Sequence, residues 1–468
     1  MRFLILLLLH FSVQAQELTH HALYNSINRY HPKLLENLLQ ITESEGKIQE
    51  NKGEFDTKLS VKNSSRTSGY YTGDYNEAMV TQPIGVLNSQ IYTGYKKGTY
   101  TMPVYEEQYL TGQDGRYLVG GEVNLFRNSE IYKNSVTVLN SKMDLEKSKI
   151  LYNLVRIDVL QNAMSKYWDW FAKGKKLESY RTLLHLAEKR QQALETQISH
   201  GDLPKFYAIE NRQYMLQRQN QVQDAQNQFD IASYELSLYL RNADGEIIPI
   251  NENNLPSDMP NVFQTITFEQ NFEYAKKVNP SLKMFQIAKK QLENELKIAK
   301  AQQLPKASLS GEFYKDTGTR PESKQQAVAK VGVNFEMPLQ RRKGKGNEVQ
   351  IESKKKQIIQ KEILLENTIF VNLQSIKNTI DSYTTMWHNA EEEFKIASKL
   401  VEFEKESVKH GNSNFFTLNL REQSQFHARV KSIEFHAQLN KAYIDYFAVL
   451  MALDDMFKKS DGGVSPVS

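Results

Sequence analysis

Apolar residues recur every three or four positions through the middle of the chain, with polar and charged residues between them. Alternating spacings of four and three are typical of a coiled-coil seam. No proline lies between Pro103 and Pro204, and helix interiors tolerate proline least of all residues. The pattern therefore predicts one helix from about Ser129 to Ser199, roughly 105 Å long at 1.5 Å per residue. Its seam residues are Ile150, Leu154, Ile157, Met164, Trp168 and Phe171.

The same pattern occurs twice along the chain. The segment His200–Leu203 follows the first long helix, and His410–Ser413 follows a second one, predicted from about Asn347 to Lys409. The second residue of each segment is glycine, which suits the left-handed conformation that ends many helices. These segments are 210 residues apart, whereas Pro32 and Pro280, near the start of each copy, are 248 apart. The difference of 38 residues indicates a duplication with an insertion in the first copy, between about residue 60 and residue 120.

Two regions outside the helices have the character of β-strands. Residues 55–126 and 306–337 alternate polar with apolar or aromatic positions, and glycine, asparagine, aspartate and proline separate these runs. Alternation with period two indicates strands with one apolar face. The sequence predicts one β-hairpin in each copy, and therefore four strands in the chain.

The start of the chain has the features of a secretory signal peptide. Arg2 is followed by the apolar run Phe3–Leu9 and by small residues that end at Ala15. The apolar run is shorter than the ~20 residues that a transmembrane helix needs. We therefore expect cleavage after Ala15 rather than a membrane anchor.

The domain organisation follows from the duplication and from changes in composition. Each repeat consists of a helix, a β-hairpin and a long helical hairpin, whose tip is the turn between its two helices. The predicted boundaries are a signal peptide at 1–15, a first repeat at 16–240 with its tip at 199–206, a linker at 241–272, a second repeat at 273–457 with its tip at 409–416, and a disordered tail at 458–468.

Composition excludes several classes of function. The 468 residues include no cysteine, so there is no disulfide, no thiol nucleophile and no cysteine to carry a lipid anchor. The 59 basic and 55 acidic residues nearly cancel, which gives no basis for nucleic-acid binding. No side chains have the spacing of a catalytic, cofactor-binding or metal site, so we expect no enzymatic activity and no cofactor.

The strands are too few to form a membrane-spanning sheet within one chain. After the signal peptide there is no apolar run of 18 residues, so a membrane-spanning form would have to use strands. Four strands cannot close a barrel, because the smallest membrane barrels have about eight. Other copies of the chain would have to complete the sheet, which fixes a multiple of four strands but not the number of copies.

Short motifs occur in a characteristic order in the two copies. They are Asn279–Leu282, Leu304–Leu309, Pro338–Lys343 and the two glycine-centred tips. In order and spacing the chain resembles the TolC-like outer-membrane efflux protein family. The resemblance implies a mainly α fold with a small β part, in which a homotrimer forms a 12-stranded β-barrel that continues as a periplasmic tunnel of long α-helical hairpins.

The resemblance also implies a location and a function. The location is the cell outer membrane, in contact with lipid, with most of the chain in the periplasm. The function is a channel of a tripartite efflux or type I secretion system, which works with a periplasmic adaptor protein and an inner-membrane transporter. A second class remains open, because a soluble periplasmic coiled-coil adaptor or spacer would also have a signal peptide and long helices. It would not explain the two equivalent strand pairs.

The hairpin tips are the expected functional site. Some family members have an aspartate six residues after each tip glycine, where this chain has Tyr207 and Thr417. We expect these two side chains to constrict the pore by size rather than by charge. His200 and His410 could sense pH or metal, or could be placed there because a helix C-terminus favours a cation. The predicted adaptor contacts are His200, Gly201, Asp202, Leu203, His410, Gly411, Asn412 and Ser413.

Overall fold

The structure, a computed structural model, describes residues 17–99, 110–258, 268–318 and 326–454. The predicted signal peptide and disordered tail lie outside the described residues, as does part of the predicted linker. Within the described ranges the chain is mostly helical with a smaller β part, as expected from the sequence.

Eight α-helices account for most of the described chain, and their order follows the predicted repeats. They are α1 (His20–Tyr30), α2 (Pro32–Lys52), α3 (Glu130–Ser199), α4 (Phe206–Ser237), α5 (Phe268–Val278), α6 (Pro280–Ala301), α7 (Arg342–Lys409) and α8 (Phe415–Val449).

The two long helices have nearly the predicted bounds. Helix α3 is a single element of 70 residues, whereas α7 begins at Arg342, five residues before the predicted Asn347. The difference arises at Gly344, which disfavours a helix in sequence terms. A Cβ atom there would lie 2.4 Å from Gln303 Cγ, so the glycine lets the α7 backbone approach the segment that follows α6.

The β part is one antiparallel sheet with strands in chain order. Its strands are β1 (Lys58–Arg66), β2 (Gly73–Ile84), β3 (Ser89–Gly98), β4 (Arg116–Asn124), β5 (Lys306–Asp316) and β6 (Val328–Glu336). The predicted number of four strands is therefore corrected to six. The offset of 248 aligns β1 with β5, and the offset of 210 aligns β4 with β6 to within two residues. The β2–β3 hairpin lies in the segment inserted in the first copy.

The register of the sheet separates an apolar face from a polar one. One row across all six strands consists of Leu59, Val80, Thr93, Val119, Phe313 and Ala329. Since side chains alternate between faces along a strand, Val61, Val331 and Val333 lie on the same face as this row. Val61 and Val331 are both 74% exposed. The opposite face carries ion pairs such as Arg116–Asp316, with 2.8 Å between Nε and Oδ1.

The chain divides into two compact units. One comprises Met1–Asn37, Tyr152–Pro280 and Leu365–Ser468, and the other comprises Leu38–Leu151 and Ser281–Leu364. Each unit contains segments of both repeats, and the sheet belongs entirely to the second unit. Among the described helices, none has a stretch that is both long and apolar enough to cross a membrane.

The main hydrophobic core of the first unit lies around the middle of α3. Trp168 and Trp170 are completely buried, and Trp170 Nε1 donates a hydrogen bond of 3.0 Å to Ser233 Oγ on α4. Gly174 allows α3 to pass close to a loop residue, because a Cβ atom at this position would lie 2.7 Å from Leu255. The predicted coiled-coil seam residues Trp168 and Phe171 thus form part of this core.

Candidate functional site: the helical hairpin tips

The backbone of the two tips is the same in both repeats. Gly201 has φ +84° and Gly411 has φ +76°, in the left-handed region that favours glycine. Both glycines belong to Schellman motifs, in which two backbone N–H groups satisfy carbonyl groups at the helix end. In the first tip, Asp202 N–H donates to Gln197 O at 3.0 Å, and in the second, Asn412 N–H donates to Ser407 O at 2.9 Å.

The helices that follow the two tips, α4 and α8, which we call the return helices, begin differently. Asn414 caps α8, since its Oδ1 accepts hydrogen bonds from Thr417 N at 2.9 Å and from Thr417 Oγ1 at 3.1 Å. At α4 the N-cap residue is Lys205, which makes no side-chain capping hydrogen bond. Thr417 therefore helps to fix the start of α8, and its predicted role in pore constriction stays a prediction.

Aromatic rings bring the two tips together. Tyr207 is half-buried and packs against Phe206, with 4.1 Å between the ring centroids. It also makes an edge-to-face contact with Phe415 of the second tip, at 6.4 Å. Tyr207 therefore holds the first tip against the second within one chain. Its predicted role as a constricting side chain is compatible with this position and stays a prediction.

The two histidines lie at helix C-termini and are exposed. His200 Nδ1 is 2.9 Å from the carbonyl oxygen of Thr196, and His410 Nε2 is 3.8 Å from a carboxylate oxygen of Glu406. Within the described part of the chain, no three histidine, aspartate or glutamate side chains are arranged to hold a metal ion. Each histidine has a local partner in its own helix, and both interpretations, a pH or metal sensor and a position favoured by the helix dipole, stay predictions.

A group of buried charges, which we call the Arg–Glu cluster, lies within the helices that adjoin the tips and was not predicted. It consists of Arg190 on α3, Arg218 on α4 and Glu422 on α8, whose side chains are 7%, 6% and 2% exposed. Arg190 Nη2 is 2.5 Å from Glu422 Oε1, and Arg218 Nη2 is 3.7 Å from Glu422 Oε2. Two positive charges thus share one negative charge.

Polar neighbours complete part of the Arg–Glu cluster. Arg218 Nη1 donates a hydrogen bond of 2.7 Å to Leu183 O, and Arg218 Nη2 donates to Asn419 Oδ1. Burial lowers the pKa of Arg218 to about 10, although the Glu422 carboxylate opposes this shift. Arg190 Nη1 is buried and has no hydrogen-bond partner among the described residues. The cluster fastens the first helical hairpin to the return helix of the second.

A buried histidine lies in the same unit, closer to its core. His436 is 2% exposed and lies between Trp168 and Trp387, with ring-centroid distances of 5.5 and 5.1 Å. Burial lowers the pKa of His436 to about 4, although the nearby Glu391 carboxylate opposes the shift. The imidazole is therefore neutral near pH 7.

Comparison with known proteins gives similarity in structure alone. No family model and no curated protein matches the sequence. A membrane protein from Pseudomonas aeruginosa is 14% identical with a TM-score of 0.69, over 93% of this chain and 91% of that one. The outer membrane protein VceC from Vibrio cholerae is 11% identical with a TM-score of 0.66, over 92% and 95%. The MtrE outer membrane channel from Neisseria gonorrhoeae, in its open state, is 12% identical with a TM-score of 0.68, over 94% and 92%.

These similarities extend over nearly the whole chain. At such low identity they establish the fold and leave the cargo and the partners of this chain open. The chain has the fold of these outer-membrane proteins, which is the fold that the resemblance to the TolC-like family implied.

Proposed function

We propose that the chain is the outer-membrane channel of a tripartite efflux or type I secretion system. In this proposal three copies assemble around a pore, the sheets lie in the outer membrane and most of the helical part lies in the periplasm. Substrates enter from a periplasmic adaptor and an inner-membrane pump, and leave to the cell exterior.

The observation that carries this proposal is the exposed apolar face of the sheet. A soluble protein rarely exposes an apolar patch larger than a few hundred Å², whereas a lipid-facing sheet requires one. The strands are nine to twelve residues long, close to the ≈ 9–11 residues that a tilted strand needs to cross a bilayer. The opposite face is polar, as it would be against a water-filled pore.

The two tips fit the role of the partner-binding end. Each is a turn between two long helices, and their exposed residues include His200, Asp202, His410 and Asn412. In the proposal these residues, with Leu203 and Ser413, contact the adaptor.

A pair of matched substitutions on β6 tests the membrane placement. Val331 lies on the apolar face and Asn334 on the polar face of the same strand. A Lys at a lipid-facing midplane position costs about 2–4 kcal/mol, so Val331→Lys should strongly reduce the amount of trimer extracted by detergent from outer membranes. Asn334→Lys should leave this amount near the wild-type level. Equal assembly of both variants, or a wild type recovered as a soluble periplasmic monomer, would support the spacer alternative instead.

A further inference from the structure

The β2–β3 hairpin is an integral part of the sheet, although the second repeat has no equivalent of it. Strand β2 pairs with β1 along Lys58–Arg66, and β3 pairs with β4 along Ser89–Lys96. In the second repeat, β5 and β6 pair directly with each other. The hairpin therefore separates β1 from β4, which would be neighbours if the two repeats had the same architecture.

The turn of this hairpin is fastened to the start of α3. Asn88, which has φ 49°, donates hydrogen bonds from Nδ2 to Asn124 O at 3.1 Å and to Phe126 O at 3.0 Å. Ser129, just before α3, hydrogen-bonds to Asn88 Oδ1. These contacts fix the inserted strands to the same junction between strand and helix that β4 uses.

The turn is also fixed on the side of α2. Gln82 Nε2 donates a hydrogen bond of 2.7 Å to Phe55 O. A Cβ atom on Gly85 would lie 2.8 Å from the ring of Phe55, so the turn packs tightly against the segment that follows α2. The inserted segment is thus held on both sides and is not a peripheral loop.

The two outer edges of the sheet have no partner strand among the described residues. These edges are β1 and β6, each nine residues long. Backbone groups at an open edge cannot be left unpaired in lipid. Because the number of strands is even and all neighbours are antiparallel, β1 and β6 run in opposite directions. The β6 strand of one copy can therefore pair antiparallel with β1 of another, and a rotation about one axis can close the ring.

We propose that all six strands of each copy enter the wall of the channel and that β6 of one copy pairs with β1 of the next. This inference rests on the proposed function. Three copies of six strands give eighteen strands, where the resemblance alone implied twelve.

The additional strands widen the pore. At a strand spacing of about 4.8 Å and a tilt of about 40°, a closed sheet of eighteen strands is roughly 36 Å across, and one of twelve is roughly 24 Å. The polar face that would line the pore carries charges of both signs, including the cross-strand pairs Lys96–Glu77 and Lys306–Glu336, each at 3.7 Å. A wide pore with charges of both signs suits bulky, hydrated polar cargo.

Cysteine cross-linking tests which strands are neighbours. The natural sequence has no cysteine, so introduced pairs are the only thiols. Leu59→Cys with Val80→Cys joins β1 to β2, whereas Val61→Cys with Val123→Cys can be linked only if β1 pairs directly with β4 in the register of Leu309 and Val333, their equivalents in the second repeat. After oxidation of outer membranes we expect the first pair to link within one chain and the second pair to stay reduced. A link between residues 61 and 123 would overturn the inference.

A second set of pairs tests closure between copies. Val61→Cys is combined in turn with Val331→Cys, Val333→Cys or Phe335→Cys, because closure of a barrel shifts the register by an unknown amount. We expect one combination to give covalent trimers on non-reducing gels. The control replaces Val61→Cys with Lys62→Cys, which points to the other face and should give none. Absence of linked trimers in all three combinations, or links only within one chain, would overturn the inference.

Failure of this inference can be told apart from failure of the proposed function. A conducting trimer in planar bilayers that links residues 61 and 123 would keep the channel and refute the eighteen strands. A soluble monomer without conductance would refute the channel itself.

Discussion

Removing the negative charge of the Arg–Glu cluster should destabilise the parts of α3, α4 and α8 that adjoin the tips. The perturbation is Glu422→Gln, which preserves the size of the side chain and its ability to accept a hydrogen bond. It leaves Arg190 and Arg218 buried without the carboxylate that both contact at 4 Å or less. The effect of the substitution therefore reports mainly on charge.

The expected magnitude follows from burial and distance. At a separation of about 4 Å and an effective dielectric constant of about 20, a pair of unit charges attracts by about 4 kcal/mol. Breaking a buried ion pair by removing one partner costs about 3–5 kcal/mol, because the remaining charge stays buried. Two arginines lose their partner here, so we expect a loss of local stability in the upper half of that range.

Hydrogen exchange measured by mass spectrometry on the purified, detergent-solubilised protein gives the local readout. Exchange at the C-terminal end of α3 and the start of α8 should be faster in the variant. Since about 1.4 kcal/mol corresponds to a factor of ten, a loss of about 4–5 kcal/mol corresponds to roughly three to three and a half orders of magnitude in the opening equilibrium. Amides around Trp168, in the core of the same unit, should change much less.

The matched control is Glu434→Gln, also on α8. Glu434 pairs with Lys176 of α3 at 3.1 Å, and their side chains are 49% and 28% exposed. Exposed pairs contribute about 0–1 kcal/mol, so exchange should accelerate less than about sixfold. If Glu422→Gln accelerates exchange no more than this control, the reasoning about the Arg–Glu cluster is wrong. Replacing all three charged residues by leucine or methionine should recover most of the protection, because no unpaired charge then remains.

Three further predictions concern the tips and the core. Tyr207→Ala should raise single-channel conductance in planar bilayers, whereas Tyr207→Phe should not, since both variants lack the hydroxyl and only the first lacks the ring. Equal conductance in the two variants would contradict the hypothesis that the ring constricts the pore. Gly201→Ala and Gly411→Ala should each destabilise their tip by about 1–2 kcal/mol, because φ is positive there and the surrounding space is open; unchanged hydrogen exchange at the tips would contradict this. The pKa of His436 is lowered in the folded protein to about 4, so the unfolded state binds more protons below about pH 6.5 and stability is lost as the pH falls from 6.5 toward 4. Between pH 7 and pH 5 this difference in proton binding lowers the free energy of unfolding by about 2 kcal/mol. The wild type should therefore lose about that much more stability than His436→Gln over this pH range, as measured by denaturant unfolding at each pH. A difference between the two proteins that does not depend on pH would contradict the lowered pKa of His436.

The helices could be predicted well because they depend on local features of the sequence. The bounds of α3 agree with prediction to one residue at its start, since nothing in its interior except Gly174 disfavours a helix. The sequence did not show β2 and β3 as strands distinct from β1 and β4, so residues 55–126 were predicted as a single hairpin. Proline inside a run is a signal against a strand, and Pro83 lies near the end of β2, where it pairs with Gln90. Only the partner strands show that this segment belongs to the sheet.

In the candidate site, the sequence predicted the turns at the two tips and did not predict the buried Arg–Glu cluster. The tips were found because a glycine at a helix end has one dominant structural meaning. The sequence held one signal for the Arg–Glu cluster. Met215 and Val222 on α4 are apolar and seven residues apart, and Arg218 lies between them on the same side of the helix, where a coiled-coil pattern would place an apolar residue. One arginine among many on long helices is usually solvated. Its burial depends on the rotation of three helices about their axes, which the sequence does not specify.

The two repeats preserve backbone geometry and differ in buried chemistry. Both tips have the same Schellman motif, but the position equivalent to Arg218 is Ala428, and the position equivalent to Glu422 is Arg212. Ala428 is completely buried and Arg212 is exposed, so the second repeat has no copy of the Arg–Glu cluster at these positions. In a trimer the six tips would therefore form two different sets of three. Because Glu422 lies on α8 of the second hairpin, the Arg–Glu cluster joins the two hairpins of one chain, and Glu422→Gln should loosen the contact between the two tips of each chain rather than one kind of tip alone.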